Sequence, residues 1–208
     1  MLEARLAPPR AVLTEPIDGW RTWTVAGSRD GAEARLLPIV GRGAWPARSP
    51  VRAVCGKGRR HEVPGPTCTC GIHATIEPDP LRRTRDPAAL GRVALWGRVL
   101  EHELGFRAEL GYPQRLMLIC SLCFWQWGLG RATPPEHVIR HRGGRMVPLC
   151  GPHLELARRY GYPTPRILDP SVVMQSLLDR YAVDVLRTSV GRRRGAVTGR
   201  SGPGQPLA

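Results

Sequence analysis

The chain has 208 residues, of which 42% are hydrophobic, and its 31 basic residues against 17 acidic ones give a net charge of +14. No run approaches the roughly 18 apolar residues that a membrane-spanning helix needs, and the N-terminal segment lacks the apolar core of a signal peptide. The composition therefore excludes an integral helical membrane protein and predicts a soluble, cytoplasmic one of one or two domains.

The basic residues are almost all of one kind. Only Lys57 is a lysine and the others are arginines, a bias that a GC-rich bacterial genome produces by codon usage alone. The excess of cations over anions is independent of that bias. Because a guanidinium can bind two phosphate oxygens at once, the charge favours nucleic acid as a partner.

The first half is predicted to be a β-rich domain over 19–115, after a flexible lead-in over 1–18. A content of 24 glycines and 21 prolines favours short strands and turns. The strand predicted over 93–102 is apolar on both faces, which places it centrally in a sheet, and Pro113 is predicted to interrupt its partner. The candidate strands are 20–25, 35–40, 71–77, 93–102 and 106–110, with a loop over 41–50 and a helical turn within 78–89.

The second half is predicted to be a separate module over 116–188. Residues 137–149 indicate a β-hairpin with a Gly143-Gly144 turn. A short helix is predicted to begin near Pro152, and a longer one after the N-cap Asp169, with an apolar stripe over 171–186 to bury on its own domain or on a partner. Residues 189–208 are rich in Arg, Gly, Ser and Pro, which predicts a disordered basic tail.

All six cysteines fall into two compact clusters, each with a histidine at metal-ligand spacing. In a reducing cytoplasm such cysteines are metal ligands more often than disulfides. The second cluster is Cys120-x2-Cys123 followed, after 26 residues, by Cys150-x2-His153. A cysteine turn after a strand and a Cys-x2-His pair at a helix start can direct four ligands at one tetrahedral Zn2+.

A strand, a cysteine turn, a hairpin and helix-borne ligands follow one another over 116–160, and this segment resembles a treble-clef zinc finger. The resemblance implies that Cys120, Cys123, Cys150 and His153 hold zinc. It implies no particular function, because treble clefs serve nucleic-acid binding, catalysis and protein adaptors alike. The expected fold class is α+β: a small, mostly antiparallel β domain with a zinc loop, then a treble-clef-like zinc module and a C-terminal helix.

The first cluster is less regular and contains Cys55, His61, Cys68 and Cys70. Cys68 and Cys70 point to the same face of an extended chain. His61 and His73 compete for the fourth position, and His61 is preferred because His73 has the opposite parity to Cys70 in the predicted strand. Both clusters supply four protein ligands, whereas catalytic zinc keeps one position for water, so two structural Zn2+ ions are expected and no catalytic residue is predicted.

Two tryptophans beside the second cluster, Trp125 and Trp127, are predicted to share one face of an extended stretch. Aromatic rings can stack bases while arginines hold phosphates. The favoured function is therefore a non-catalytic, zinc-binding protein that associates with nucleic acid in a regulatory role. The candidate nucleic-acid-binding residues are Trp125, Trp127, Arg140, Arg142, Arg145 and Arg158.

Two alternative functions stay open. A zinc-stabilised adaptor would dock a partner protein through the apolar helix over 171–186. An enzyme would use Glu101 and His102 for acid–base chemistry, although cross-strand ion pairs on a wet sheet face explain the same charges. The chain has no Gly-rich phosphate loop, Ser nucleophile elbow, His-Glu-x-x-His helix or zinc-deaminase signature.

Three short runs also form a recognisable pattern: Cys-Thr-Cys-Gly-Ile-His-Ala over 68–74, Leu-Trp-Gly-Arg-Val over 95–99 and Arg-Ala-Glu over 107–109. In these runs the chain resembles a group of uncharacterised bacterial proteins with Cys-x-Cys-Gly-Ile-x-Ala and Leu-Trp-Gly-Arg-Val. The resemblance implies a bacterial source and no particular activity.

Overall fold

A computed structural model describes residues 13–58 and 60–187, so the predicted tail over 189–208 and residues 1–12 of the predicted lead-in lie outside the described residues. The strands are β1 (Leu13–Ala26), β2 (Arg35–Pro38), β3 (Val51–Arg52), β4 (Ile72–Thr75), β5 (Ala89–His102), β6 (Gly105–Leu118), β7 (His137–Arg140), β8 (Arg145–Leu149), β9 (Ile167–Leu168) and β10 (Asp184–Val185). The helices are α1 (Ser121–Trp127), α2 (Gly151–Arg159) and α3 (Pro170–Tyr181), with 3-10 turns at Asp79–Arg83 and Leu129–Arg131.

Four strands close into a circuit of antiparallel pairings. β5 pairs with β1 on one side and with β6 on the other, and β4 bridges β6 and β1. The central position predicted for the strand over 93–102 is confirmed. Its residues Val93, Leu95 and Val99 are almost fully buried in the main core. The mostly antiparallel character and the mixture of strands and helices agree with the expected α+β class.

Strands β1 and β6 are much longer than predicted. Residues 13–18, assigned to the lead-in, belong to β1, where Ile17 pairs with Leu95 and packs against the main core. β6 continues past Pro113 to Leu118, because a register shift opposite Arg92 and Val93 forms a bulge beside the proline. A bulge tolerates a residue without an N–H, so Pro113 bends the strand rather than ending it.

The second half of the chain extends the same sheet. The predicted hairpin is confirmed as β7 and β8, although its turn is longer and β7 already ends at Arg140. β8 pairs with β1 at Val25 and Met146, and the main core includes residues from both sides of residue 116. The sheet and the main core therefore include residues from both predicted domains. Whether the two parts fold as separate units, divided at residue 116, stays a prediction.

Helix α3 begins as predicted, since the Asp169 carboxylate accepts a hydrogen bond of 2.7 Å from the Ser171 amide. It ends at Tyr181, earlier than the predicted 186, and the next residue is left-handed, with a φ of 49° at Ala182. The stripe Val173, Leu177 and Tyr181 is fully buried in the main core. Leu178 is half-buried and Val185 is 48% exposed, so this chain covers only part of the stripe considered for a protein partner.

Two smaller apolar clusters lie beside the main core. One surrounds the second cysteine cluster, and the other joins Leu81, Leu90, Ile119 and Phe124, which fixes α1 against β5 and the end of β6. The cluster around the cysteines consists of Cys120, Cys123, Ile139, Leu149, Cys150 and Leu154.

Among the helices formed by residues 13–58 and 60–187, none combines the length and apolarity required to cross a bilayer.

Candidate metal centres

The second cluster is built by two helix starts that converge. Cys120 follows β6 and is the N-cap residue of α1, while Cys123 lies in the first turn of that helix. Cys150 follows β8 and is the N-cap residue of α2, with His153 in its first turn. The His153 position agrees with the predicted helix start near Pro152. In both pairs a strand delivers the first ligand and one helical turn brings the second beside it.

The ligand atoms of the second cluster have the spacing of a tetrahedral site. The Cys150 Sγ lies 3.8 Å from the Cys120 Sγ and 3.6 Å from the Cys123 Sγ. The His153 Nδ1 lies 3.4, 3.3 and 3.2 Å from the sulfurs of Cys120, Cys123 and Cys150. Bond lengths of about 2.3 Å to sulfur and about 2.0 Å to nitrogen place two sulfurs roughly 3.8 Å apart and a sulfur and a nitrogen roughly 3.5 Å apart. These four side chains are geometrically able to hold a metal ion.

Burial makes this cluster unfavourable for thiolates without a cation. It raises the pKa of the Cys150 thiol to about 12, and it raises the pKa of Cys120 against the opposing effect of the backbone amides of Cys123 and Cys150. The amide ends of α1 and α2 favour negative charge at the two N-cap sulfurs. A coordinated cation deprotonates a thiol outright, so metal binding resolves the conflict between burial and charge.

The first cluster lies in the loop between β3 and β4. The Cys55 Sγ is 3.9 Å from the Cys68 Sγ, and the His61 Nε2 is 3.8 Å from the Cys70 Sγ. All four ligand atoms lie within 4.8 Å of one another, so this set is also geometrically able to hold a metal ion. The backbone amide of Cys70 is the largest of the effects that lower the pKa of the Cys68 thiol to about 6.

The structure places His61, and not His73, in the first cluster. The His61 Nδ1 is 2.6 Å from the Glu62 carbonyl oxygen, a contact in which the ring donates its proton and leaves Nε2 free to bind a metal. The His73 Nε2 instead lies 2.9 Å from the Thr69 carbonyl oxygen. The parity argument for His61 agrees with this arrangement.

A buried arginine, not foreseen from the sequence, organises the first cluster. Arg107 lies on β6 with only 8% of its surface exposed. Its Nη1 donates to the carbonyl oxygens of Gly65, Cys68 and Cys70, at 3.3 Å for the first and the last. The signal that could have indicated it is the pairing of its strand with the segment directly after Cys70.

The two tryptophans beside the second cluster lie on α1, so the predicted extended stretch is wrong. The tight turn that brings Cys123 to Cys120 is the first turn of a helix, and the helix continues to Trp127. Residues two apart on a helix point about 200° apart, so Trp125 and Trp127 do not share a face. They are 64% and 49% exposed.

The four candidate arginines have different environments. The half-buried Arg140 donates to the carbonyl oxygens of Gly27 and Ser28, so it supports the loop after β1. Arg145 and Arg158 form ion pairs with Asp86 and Glu155. Arg142 is exposed in the β7–β8 turn. Within the described part of the chain, no hydrogen bond or cation–π contact joins these arginines to the two tryptophans.

Arg82, which the sequence did not single out, fixes the far end of α1. Its guanidinium donates to the carbonyl oxygens of Trp125 and Gln126, the latter at 2.8 Å. It also pairs with Asp79 at 3.3 Å. These contacts satisfy carbonyl groups that a helix end leaves without intrahelical partners.

Glu101 and His102, the candidates for an enzyme, lie at the end of β5 with exposed side chains. Partial desolvation and the charge of Arg107 lower the pKa of His102. Two open depressions on the surface of the described residues are lined mainly by α3, β6 and the segment over 182–187, and neither includes these two side chains.

No protein-family model, curated protein or solved structure matches this chain. The two metal-ligand clusters and the exposed aromatic helix beside the second of them are therefore the features on which a functional assignment rests.

Proposed function

We propose that both clusters hold Zn2+ in a structural role. Three thiolates and one imidazole are a donor set that zinc prefers, and four protein ligands leave no position for a reacting water. The second cluster is enclosed by apolar side chains, and the first is tied to β6 through Arg107. Each ion would then fix the chain segments that its ligands join.

Metal analysis of reduced, purified protein tests this proposal. Two zinc ions per chain are expected for the wild type, and one each for Cys68→Ser and Cys123→Ser. Two variants are measured so that in each one the intact cluster reports on the folding of the rest of the molecule. Wild-type protein free of bound transition metal would contradict the proposal.

We also propose that the protein associates with single-stranded nucleic acid through α1. The observation that carries this proposal is the exposure of Trp125 and Trp127, by 64% and 49%, on a helix fixed at both ends. The second cluster fixes its start and Arg82 fixes its end. Stacking of an unpaired base on an aromatic ring contributes about 1–3 kcal/mol, and the charge of +14 supplies long-range attraction for phosphates.

This function is favoured over the two alternatives by the placement of the side chains. Three residues of the apolar stripe that an adaptor would use, Val173, Leu177 and Tyr181, are buried in the main core. Glu101 and His102, which an enzyme would use, stand on an exposed strand end. The tryptophans of α1 are large aromatic side chains that remain exposed beside the second cluster.

Binding of a fluorescent dT20 oligonucleotide in rising salt tests the role of α1. The double variant Trp125→Ala/Trp127→Ala is expected to bind at least about tenfold more weakly, since each lost stack contributes about 1–3 kcal/mol. Leu104→Ala is the matched control, because Leu104 is 58% exposed in the turn at the opposite end of β6. Equal binding by the double variant and the wild type would refute the role of α1.

A further inference from the structure

Three segments that are far apart in the sequence meet at the tip of the β7–β8 hairpin. The Gly27 amide, after β1, donates to the Gly144 carbonyl oxygen at 3.0 Å. The Arg140 amide donates to the Arg166 carbonyl oxygen at 2.8 Å. The loop after β1, the hairpin turn and the segment before β9 therefore form one surface.

Hydrogen bonds from arginine side chains to backbone carbonyl groups connect the segments of this surface. The Arg140 Nε donates to the Ser28 carbonyl oxygen at 2.7 Å, and the Arg166 Nη1 donates to the Arg29 carbonyl oxygen at 3.4 Å. The loop is closed on itself by Asp30, whose carboxylate accepts from the Ser28 hydroxyl at 2.6 Å and from the Ala32 amide at 3.1 Å. A ligand that binds here would not have to order the loop first.

Cations outnumber anions on this surface. The loop contributes the acids Asp30 and Glu33, and Asp30 is engaged in its own turn. Within residues 13–58 and 60–187, no ion pair involves the guanidinium groups of Arg29, Arg142 or Arg166. The two other arginines of the surface are already engaged: Arg140 by loop carbonyls and Arg145 by Asp86.

An aromatic ring contacts His141, the residue next to Arg142 in the hairpin turn. Tyr162 is 44% exposed, and its hydroxyl lies 3.3 Å from the His141 Nε2. The two rings are nearly perpendicular, with centroids 5.4 Å apart, so His141 fixes the orientation of Tyr162. A fixed, partly exposed ring in the same region as guanidinium groups that form no ion pair is an arrangement suited to an unstacked base and its flanking phosphates.

We propose that this surface, the arginine corner formed by Arg29, Arg142, Arg166 and Tyr162, is a second contact site for single-stranded nucleic acid. The inference rests on the proposed association with single strands and adds a phosphate-binding site apart from the α1 tryptophans. A duplex would leave Tyr162 without a base to stack on. An acidic protein would engage the arginines without using the ring.

The test compares two triple variants with the same loss of charge. In Arg29→Gln/Arg142→Gln/Arg166→Gln the corner is neutralised. In Arg42→Gln/Arg115→Gln/Arg187→Gln three other exposed arginines are neutralised instead. Binding of dT20 and rU20 is measured from low to high salt, with thermal unfolding to verify that each variant is folded.

Loss of three phosphate contacts is expected to reduce the slope of log K against log salt by about 2, since each single-strand contact contributes about 0.7. The control triple is expected to retain the wild-type slope. Tyr162→Ala is expected to weaken binding severalfold at an unchanged slope, because the ring carries no charge. A blunt duplex and poly-glutamate of matched charge are expected to compete poorly with dT20.

Several results would overturn the arginine corner. Equal slopes for wild type and corner triple, equal losses in both triples, or efficient competition by poly-glutamate or duplex would each do so. If the tryptophan variant loses binding while the corner triple does not, only the corner is refuted. If the reverse is found, the α1 site is refuted and the corner stands. A wild type that binds neither oligonucleotide refutes both.

Discussion

At the scale of single residues, Arg107 shows how a strand supports a metal loop. The loop of the first cluster has little regular secondary structure, so its carbonyl groups need donors from elsewhere. Arg107 supplies one guanidinium to the carbonyl oxygens of Gly65, Cys68 and Cys70. An arginine remains charged when buried, and hydrogen bonds to a charged donor are stronger than neutral ones.

We expect Arg107→Met to lower the free energy of unfolding by about 3 kcal/mol, because it leaves three carbonyl groups without their charged donor. It should also speed release of the proposed zinc ion from the first cluster. Urea unfolding and chelator kinetics measure the two effects. Arg52→Gln is the control, since Arg52 forms an ion pair with Glu109 but is 65% exposed, and an exposed pair contributes less than about 1 kcal/mol. Equal effects of the two changes would show that Arg107 does not support the loop.

The ligands themselves could be predicted residue by residue. Cys-x2-Cys and Cys-x2-His spacing encodes a local turn, and parity along an extended chain separates His61 from His73. Arg107 could not be predicted in this way. Its role depends on which strand lies against the loop, and the sequence does not indicate that strand. The alternating charges along β6 are equally consistent with a solvent-exposed sheet face.

At the scale of elements, the sheet depends on a close approach between β5 and β6. An ideal Cβ on Gly91 would lie 2.2 Å from the Arg115 carbonyl oxygen and 3.2 Å from the Trp23 ring. The bulge beside Pro113 lies within β6, next to Arg115. Gly91 therefore lets the two backbones approach where the sheet bends, a use of glycine typical of strand interiors.

We expect Gly91→Ala to lower the free energy of unfolding by about 2 kcal/mol, because the added methyl group must displace backbone atoms of β6. Gly130→Ala is the matched control, since no heavy atom lies within 4 Å of its ideal Cβ. Chemical denaturation of both variants measures the difference. Wild-type stability in Gly91→Ala would mean that the strands separate at little cost.

Helix α1 shows where element prediction failed. The spacing of Trp125 and Trp127 has the period of a strand, and an extended stretch was predicted from it. The ligand geometry overrides that pattern, because Cys120 caps a helix whose first turn carries Cys123. A period of two over three residues is too short to compete with a turn fixed by two metal ligands.

At the scale of the whole molecule, the two clusters differ in how deeply they enter the fold. All three cysteines of the second cluster are buried and contact an apolar cluster of their own. In the first cluster only Cys68 is buried, and its loop lies between short strands. Opening of the first site requires a local change, whereas the second site opens only when β8, α1 and α2 separate.

We expect a strong chelator to remove the two proposed zinc ions in two phases, with the ion of the first cluster leaving faster than that of the second. The second phase should coincide with a partial loss of the circular dichroism signal, because opening of the second site separates β8, α1 and α2. Chelator absorbance and circular dichroism are recorded together. Cys68→Ser should lose the fast phase and Cys123→Ser the slow one. A single phase would contradict the difference in burial.

The sequence by itself determined the metal-ligand clusters, the central strand, the hairpin and the capped start of α3, because each is encoded by local spacing, alternation or a cap. Tertiary structure alone decided that Val173, Leu177 and Tyr181 of α3 are buried within the chain, that Arg107 contacts the first cluster and that the segments carrying Arg29, Arg142 and Arg166 meet. These features depend on contacts between segments that are far apart in the sequence. The contact between Arg166 and Arg29, for example, joins residues 137 positions apart. Such contacts leave no periodic trace in the chain, since they are fixed by how strands and helices pack.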